Sequence, residues 1–192
     1  RPISYNSGFG TAFVTAFNAG NRFSGTFDGQ GHTIRNLTVT SEADDCTSVA
    51  LFGAVRGGCI RNLVLDSSCS FTYTGNSEKA NVASVVGLMF ANGVDGAKPD
   101  WADADADNVT VMVENVHSSA VVTLNFKGDG YKGYVGGLVG YIGAATGYFA
   151  VIRNSTFEGV VSGSGTGAGG IYACWMEGGR NLLCKNSLMA GK

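Results

Sequence analysis

The sequence predicts an all-β fold, a parallel β-helix or β-solenoid of about five coils, with a loop insertion at about residues 90–108. Three observations predict it. Glycine fills 30 of 192 positions, about twice its usual share of about 7%. A short tag, an apolar residue followed by a charged one and asparagine, recurs along the chain. A second tag, a small residue, an apolar pair and another small residue, precedes each copy of the first after the initial one. Two patterns recurring in the same order mark a structural repeat.

The first tag reads "IRN" at 34–36, "IRN" at 60–62, "VEN" at 113–115, "IRN" at 152–154 and "CKN" at 184–186. Its asparagines fall 26, 53, 39 and 32 residues apart. Each asparagine is followed by strand-like alternation, as in "NLTVT", "NLVLD", "NVHSS" and "NSTFE". Stacking the copies predicts an inward column of Ile34, Ile60, Val113, Ile152 and Cys184. A second column is Leu37, Leu63, Val116, Ser155 and Ser187, and a third is Val39, Leu65, Ser118, Phe157 and Met189. The charged position, Arg35, Arg61, Glu114, Arg153 and Lys185, is predicted to face water.

The second tag reads "ALFG" at 50–53, "GLMF" from Gly87, "GLVG" at 137–140 and "GIYA" at 170–173. It predicts that Leu51, Leu88, Leu138 and Ile171 point inward together. No segment offers an amphipathic helix with caps, and units of 26 to 53 residues built of strands and turns cannot bury an apolar face alone. Stacked parallel coils are the solution. Asparagine then sits at corners because it tolerates left-handed backbone, and glycine because it turns without a Cβ.

Composition bounds the rest. Charged residues are 15%, against the usual fraction of about a quarter. Apolar residues are 44% and prolines number two, so this is a folded chain and no Pro/Gly linker. The net charge is −2 with no Lys/Arg cluster, which excludes a nucleic-acid partner. No apolar run is long enough to span a membrane. One domain is expected over 1–192. Because the chain opens on Arg1 without a leader, it reads as a piece of something longer, with further domains of the same chain as neighbours. The five cysteines, Cys46, Cys59, Cys69, Cys174 and Cys184, show no zinc spacing. They read as small core hydrophobes, with a bridge such as Cys174–Cys184 or Cys59–Cys69 as the alternative.

At this point the sequence resembles proteins carrying the GLUG repeat. "GGLVG" at 136–140 matches the signature and "ALFG" nearly does. "FSGTFDGQGHTIRNLTV" at 23–39 is similar to the opening coil of such regions, and the likeness runs from about Phe23 to the end. The resemblance implies a repetitive β-rich region of secreted or cell-surface proteins, such as adhesin-like proteins and the non-catalytic parts of IgA-cleaving proteases. It implies no catalytic residue. It casts Phe23, Gly25, Phe27, Gly29, Gly31 and Ile34 as builders of the first coil.

Three sets of residues invite chemistry. Asp28 and His32 lie four apart in "TFDGQGHTI" and could form an acid/base pair, but Asp28-Gly29 is also a turn dipeptide. The other histidine, His117, has no partner that the sequence names. Within the insertion, Asp103, Asp105 and Asp107 form either a solvated acidic loop or a calcium site, since hard cations want clustered carboxylates. Glu114 stands at the twelfth position from Asp103, as in an EF-hand, yet Asn108 replaces the usual glycine and a strand follows. Trp101 either pins this loop or stacks on a sugar ring. Of the sequons at Asn36, Asn108 and Asn154, the one at Asn108 lies outside the repeat and is the candidate glycosylation acceptor.

The function expected is that of a non-catalytic extracellular or cell-surface module, a structural spacer, adhesin or interaction surface that meets a protein or glycan partner. It requires no cofactor, and calcium is the one ligand that the insertion suggests. A carbohydrate-binding or carbohydrate-active β-helix is the alternative. No nucleophile-elbow motif or strand-borne carboxylate cluster speaks for catalysis.

Overall fold

Among the described residues, twenty strands wind through successive coils. The computed structural model describes residues 22–91, 109–129, 133–144, 147–164, 167–175 and 182–192. The first coil holds β1 (Thr26–Asp28), β2 (Thr33–Ile34), β3 (Thr38–Ser41), β4 (Ser48–Val49) and β5 (Phe52–Arg56). The second holds β6 (Cys59–Leu65), β7 (Ser70–Gly75), β8 (Asn81–Ala83) and β9 (Val86–Ala91). The third holds β10 (Val109–Ser118), β11 (Val121–Phe126), β12 (Tyr134–Gly136) and β13 (Val139–Ala144). The fourth holds β14 (Phe149–Arg153), β15 (Thr156–Phe157), β16 (Val160–Ser164), β17 (Gly167–Gly169) and β18 (Tyr172–Trp175). A partial fifth coil adds β19 (Leu182–Lys185) and β20 (Leu188–Met189).

Each strand pairs in parallel with its counterpart in the next coil, so four sheets run along the stack. The first sheet has the order β1-β6-β10-β14-β19, with β2, β15 and β20 continuing it. The second is β3-β7-β11-β16, the third β4-β8-β12-β17 and the fourth β5-β9-β13-β18. This is the predicted all-β parallel solenoid. Among the described residues no helix is long and apolar enough to cross a membrane.

The core fills the space that the four sheets enclose, and one continuous apolar cluster threads every coil. Tyr73, Phe52, Phe71, Phe157, Leu65 and Leu138 are among its fully buried side chains. Burying one such side chain contributes about 1.5–3 kcal/mol, and no single coil encloses enough of them to stand alone.

Register corrects the first tag. Ile60, Val113, Ile152 and Cys184 do stack, but Phe27, not Ile34, is the first-coil member. Ile34 lies two columns on, beside Leu65, and so joins the column of Ser118, Phe157 and Met189. Leu37 and Val39 likewise belong to the second sheet, where Val39 pairs with Phe71. The cause is a turn. Gln30 and Gly31 both have positive φ, of 53° and 77°, and the His32 N–H closes back on the Gly29 carbonyl. The turn lets the first coil hold four residues between Asp28 and Thr33 where the second holds two between Arg61 and Val64. The first-coil counterpart of the tag is Phe27-Asp28-Gly29, and the first "IRN" belongs to the following corner.

The second tag is corrected in the second coil. Val86 pairs with Phe52 and with Val139, which aligns Ser84-Val85-Val86-Gly87 with "ALFG", "GLVG" and "GIYA". Val85, not Leu88, therefore shares the column of Leu51, Leu138 and Ile171. Leu88 faces outward with Ala54 and Tyr141 in a small apolar cluster outside the main core. The first position of the tag is small because a Cβ at Gly137 would run into the Gly170 carbonyl oxygen and the Phe157 ring. Ser84 is tolerated there because its hydroxyl donates to the Gly137 carbonyl at 2.5 Å.

Candidate functional site

Asparagine makes the corner of the first sheet. Asn62, Asn115, Asn154 and Asn186 all lie in the left-handed region, with φ between 48° and 54°, a conformation that asparagine visits more readily than other non-glycine residues. Asn36 shares that conformation (φ 55°) at a different corner, between β2 and β3. At three of these corners the side-chain amide donates to the preceding coil. Asn62 Nδ2 donates to Asp28 Oδ1 at 3.0 Å, Asn115 Nδ2 to Asn62 Oδ1 at 2.8 Å, and Asn186 Nδ2 to Asn154 Oδ1 at 3.3 Å. Gly29, aligned with Asn62, takes the corner in the first coil, and Asp28 caps the ladder.

Between Asn115 and Asn154 a different link bridges the coils. His117 Nε2 lies 3.2 Å from Asn115 Oδ1, and its Nδ1 lies 2.9 Å from Thr156 Oγ1. A neutral ring satisfies both when Nε2–H donates to the amide and Nδ1 accepts from the hydroxyl. The partners of His117 come from 39 residues away in the case of Thr156, beyond the reach of any local sequence pattern.

The charged column runs Asp28, Arg61, Glu114, Arg153 and Lys185, with Asp28 in the place expected for Arg35. It is only half exposed and is paired across coils. Arg61 Nε donates to Asp28 Oδ2 at 2.9 Å, and Arg153 contacts Glu114 Oε1 at 2.7 Å. Arg35 instead reaches Asp66 at 2.9 Å. The Asn62 amide, the Gln30 N–H and Arg61 hold the Asp28 carboxyl below its ordinary pKa. The Ser68 hydroxyl and N–H, with Arg35, do the same for Asp66. Hydrogen bonds to the ionised form favour it. Both carboxylates stay charged and engaged.

The structure therefore separates the Asp28/His32 pair: the Asp28 carboxylate is taken by Gln30, Arg61 and Asn62, and His32 is exposed. Glu114 belongs to the ion-paired column of β10, which takes it from the EF-hand role. Trp101, Asp103, Asp105, Asp107 and Asn108 lie outside the described residues, in the interval between β9 and β10. Among the described residues no group of three or more His, Cys, Asp and Glu side chains is gathered as metal ligands. Asp44 and Asp45, which the sequence leaves unassembled, line an open cavity of about 280 Å³ with Glu78 and Lys79.

Cys46, Cys59, Cys69 and Cys184 are free thiols, the first three buried and the last exposed. Burial pushes the Cys59 thiol up to about 12, as expected for a small hydrophobe rather than a nucleophile.

The outer face of the second sheet differs from the first. Outward-pointing hydroxyls align in a lane of Thr40, Thr72, Thr123 and Ser162. On one side of it run Thr38, Ser70, Val121 and Val160, and on the other Thr74, Asn125 and Ser164. Neighbouring coils are linked within the lanes: Ser70 Oγ donates to Thr38 at 3.3 Å, Thr123 and Ser162 meet at 3.0 Å, and Asn125 Nδ2 donates to Thr74 at 3.3 Å.

Stacked ladders on a parallel solenoid define a repeat module in which corner amides and the charged column link coil to coil. Among curated proteins, a segment of Halomucin from Haloquadratum walsbyi is 42% identical over 66 residues, 32% of this chain. That match covers 1% of Halomucin, so the chain spans a very small part of that protein. No family model matches the chain, and no solved structure does.

Proposed function

We propose that the chain is a non-catalytic extracellular module, a spacer or adhesin-like interaction surface within a larger secreted or surface protein. The observation that supports this most directly is the fate of the ionised groups on the stacked faces. Asp28, Asp66 and Glu114 each spend their carboxylates on cationic or hydrogen-bonding partners. A general acid or base needs a group free to exchange its proton with a substrate. The tags that resemble GLUG repeats, and the likeness to a short segment of the very long Halomucin, agree with a module in a long chain.

Incubating the chain with neutral and acidic polysaccharides and measuring new reducing ends or unsaturated products tests this reading. No release above the buffer rate is expected. Release that grows with protein concentration would overturn it and establish a carbohydrate-active enzyme.

A further inference from the structure

The second sheet shows one lane pattern over four coils and no charge. Its eleven outward strand positions carry only Thr, Ser, Asn and Val. The first sheet, on the same coils, carries the column of Asp28, Arg61, Glu114 and Arg153. The outward columns of the first and fourth sheets also include buried apolar side chains, Met112 and Val151 on one and Leu88 and Tyr141 on the other. Only the second sheet presents a broad, open and uncharged face among the described residues.

We infer that this face, through Thr40, Thr72, Thr123 and Ser162, binds an extended uncharged polysaccharide laid along the stacking axis. The inference rests on the module reading above and names its partner class. Strand propensity explains why threonine is present, and cross-strand pairing explains why the hydroxyls touch. Neither requires that charge be absent from the face.

The face itself selects the class. Each hydroxyl both donates and accepts, so a lane of them matches a polymer that presents hydroxyls of both roles. Adjacent coils repeat roughly every 4.8 Å, and lanes two residues apart lie about 6.6 Å from each other. The grid is therefore regular in two directions. Threonine methyls, with Val121 and Val160 exposed at 38% and 42%, provide apolar contacts for the C–H faces of sugar rings. A row of exposed hydroxyls running along the stack suits a chain that lies across it rather than an enclosed small molecule. Its outward strand positions carry no cation for nucleic acid and no aromatic or arginine anchor of the kind that dominates protein interfaces, Lys127 and Lys192 standing at its edges.

Affinity electrophoresis of the full chain tests the assignment, with gels containing a soluble mixed-linkage β-glucan, a galactomannan or, as the charged control, alginate. Retardation is expected in at least one uncharged polymer and not in alginate. Thr40→Arg/Thr123→Arg, two coils apart in the lane, should weaken it at least tenfold while the chain stays folded by far-UV circular dichroism. Ser162→Arg, at an exposed position, serves as a second variant should the double change disturb folding. Thr33→Arg, exposed on the first sheet, should bind as the parent does. No retardation in either uncharged polymer, equal retardation in alginate, or unchanged binding by the arginine variants overturns the inference. None of these outcomes touches the module reading, which falls only on product release.

Discussion

Asn62 Oδ1 accepts a hydrogen bond from Asn115 Nδ2 at 2.8 Å, although the two residues stand 53 positions apart in sequence. Both hold left-handed backbone, at φ 54° and 50°. One residue type thus does two jobs, turning the chain and tying the turn to the next coil. Asn62→Ala loses both: left-handed backbone costs an alanine about 1–2 kcal/mol, and a hydrogen bond is worth about 1 kcal/mol. Asn62→Gly keeps the turn and loses only the ladder bonds. Asn62 makes two such bonds, to Asp28 and from Asn115, so urea unfolding should place the alanine variant about 3–4 kcal/mol below the parent and the glycine variant about 2 kcal/mol below. Equal losses in the two variants would show that the backbone conformation carries no cost here.

The left-handed corners were legible from the sequence, because asparagine and glycine are the residues that tolerate them and the tag recurs. Register was less so. The letters at 34–36 and 60–62 are identical, yet Ile34 stacks on Leu65 because Phe27-Asp28-Gly29 holds the tag's place in the first coil and the first "IRN" falls at the next corner. In the second coil, "GL" at 87–88 imitates the signature while Ser84-Val85 occupies its place. What fixes that position is the space beside the next coil's carbonyl, which a sequence does not display. The ladder partners of Asn115 and His117 are long-range for the same reason. The second-sheet lanes emerged only once β3, β7, β11 and β16 were placed side by side.

Asp28 and Asp66 make stability depend on pH in a definite direction. Hydrogen bonds and cationic partners lower both folded-state pKa values, so the folded state binds fewer protons than the unfolded one. Their contribution is complete above the unfolded-state value of about 3.9 and disappears as pH falls through the lowered folded values. The melting temperature should be flat with respect to these groups from pH 7 to about 5 and should fall below about 4. Asp66→Asn should start from a lower melting temperature at pH 7 and lose less on acidification. A parallel drop in parent and variant would place the acid sensitivity elsewhere.

Gly137→Ala tests the close approach of coils. The added Cβ meets the Gly170 carbonyl oxygen and the Phe157 ring, and Phe157 is fully buried. Neither neighbour can yield without opening the stack, so the cost should be about 1–3 kcal/mol, in the range of overpacking. Gly147→Ala makes the contrast: nothing lies within 4 Å of its Cβ, and only its φ of 85° opposes the change. Chemical denaturation should show a larger loss for Gly137→Ala, and the reverse order would mean that backbone strain outweighs packing.

Cysteine accessibility reads the integrity of the stack without altering it. Cys46, Cys59 and Cys69 are buried and Cys184 is exposed. Burial lifts the Cys46 thiol as well as that of Cys59, which reaches about 12. Partial burial lifts the Cys184 thiol too, so at pH 8 it is access to the sulfur that separates Cys184 from the three buried side chains. Iodoacetamide labelling of the native chain, followed by peptide mass spectrometry, should modify Cys184 within minutes and leave Cys46, Cys59 and Cys69 intact. In denaturant all four should react at similar rates. Asn62→Ala, by loosening the coils that flank Cys59 and Cys69, should speed labelling of those two before it affects the far-UV spectrum. Native labelling of Cys59 as fast as Cys184 would contradict the stacked core.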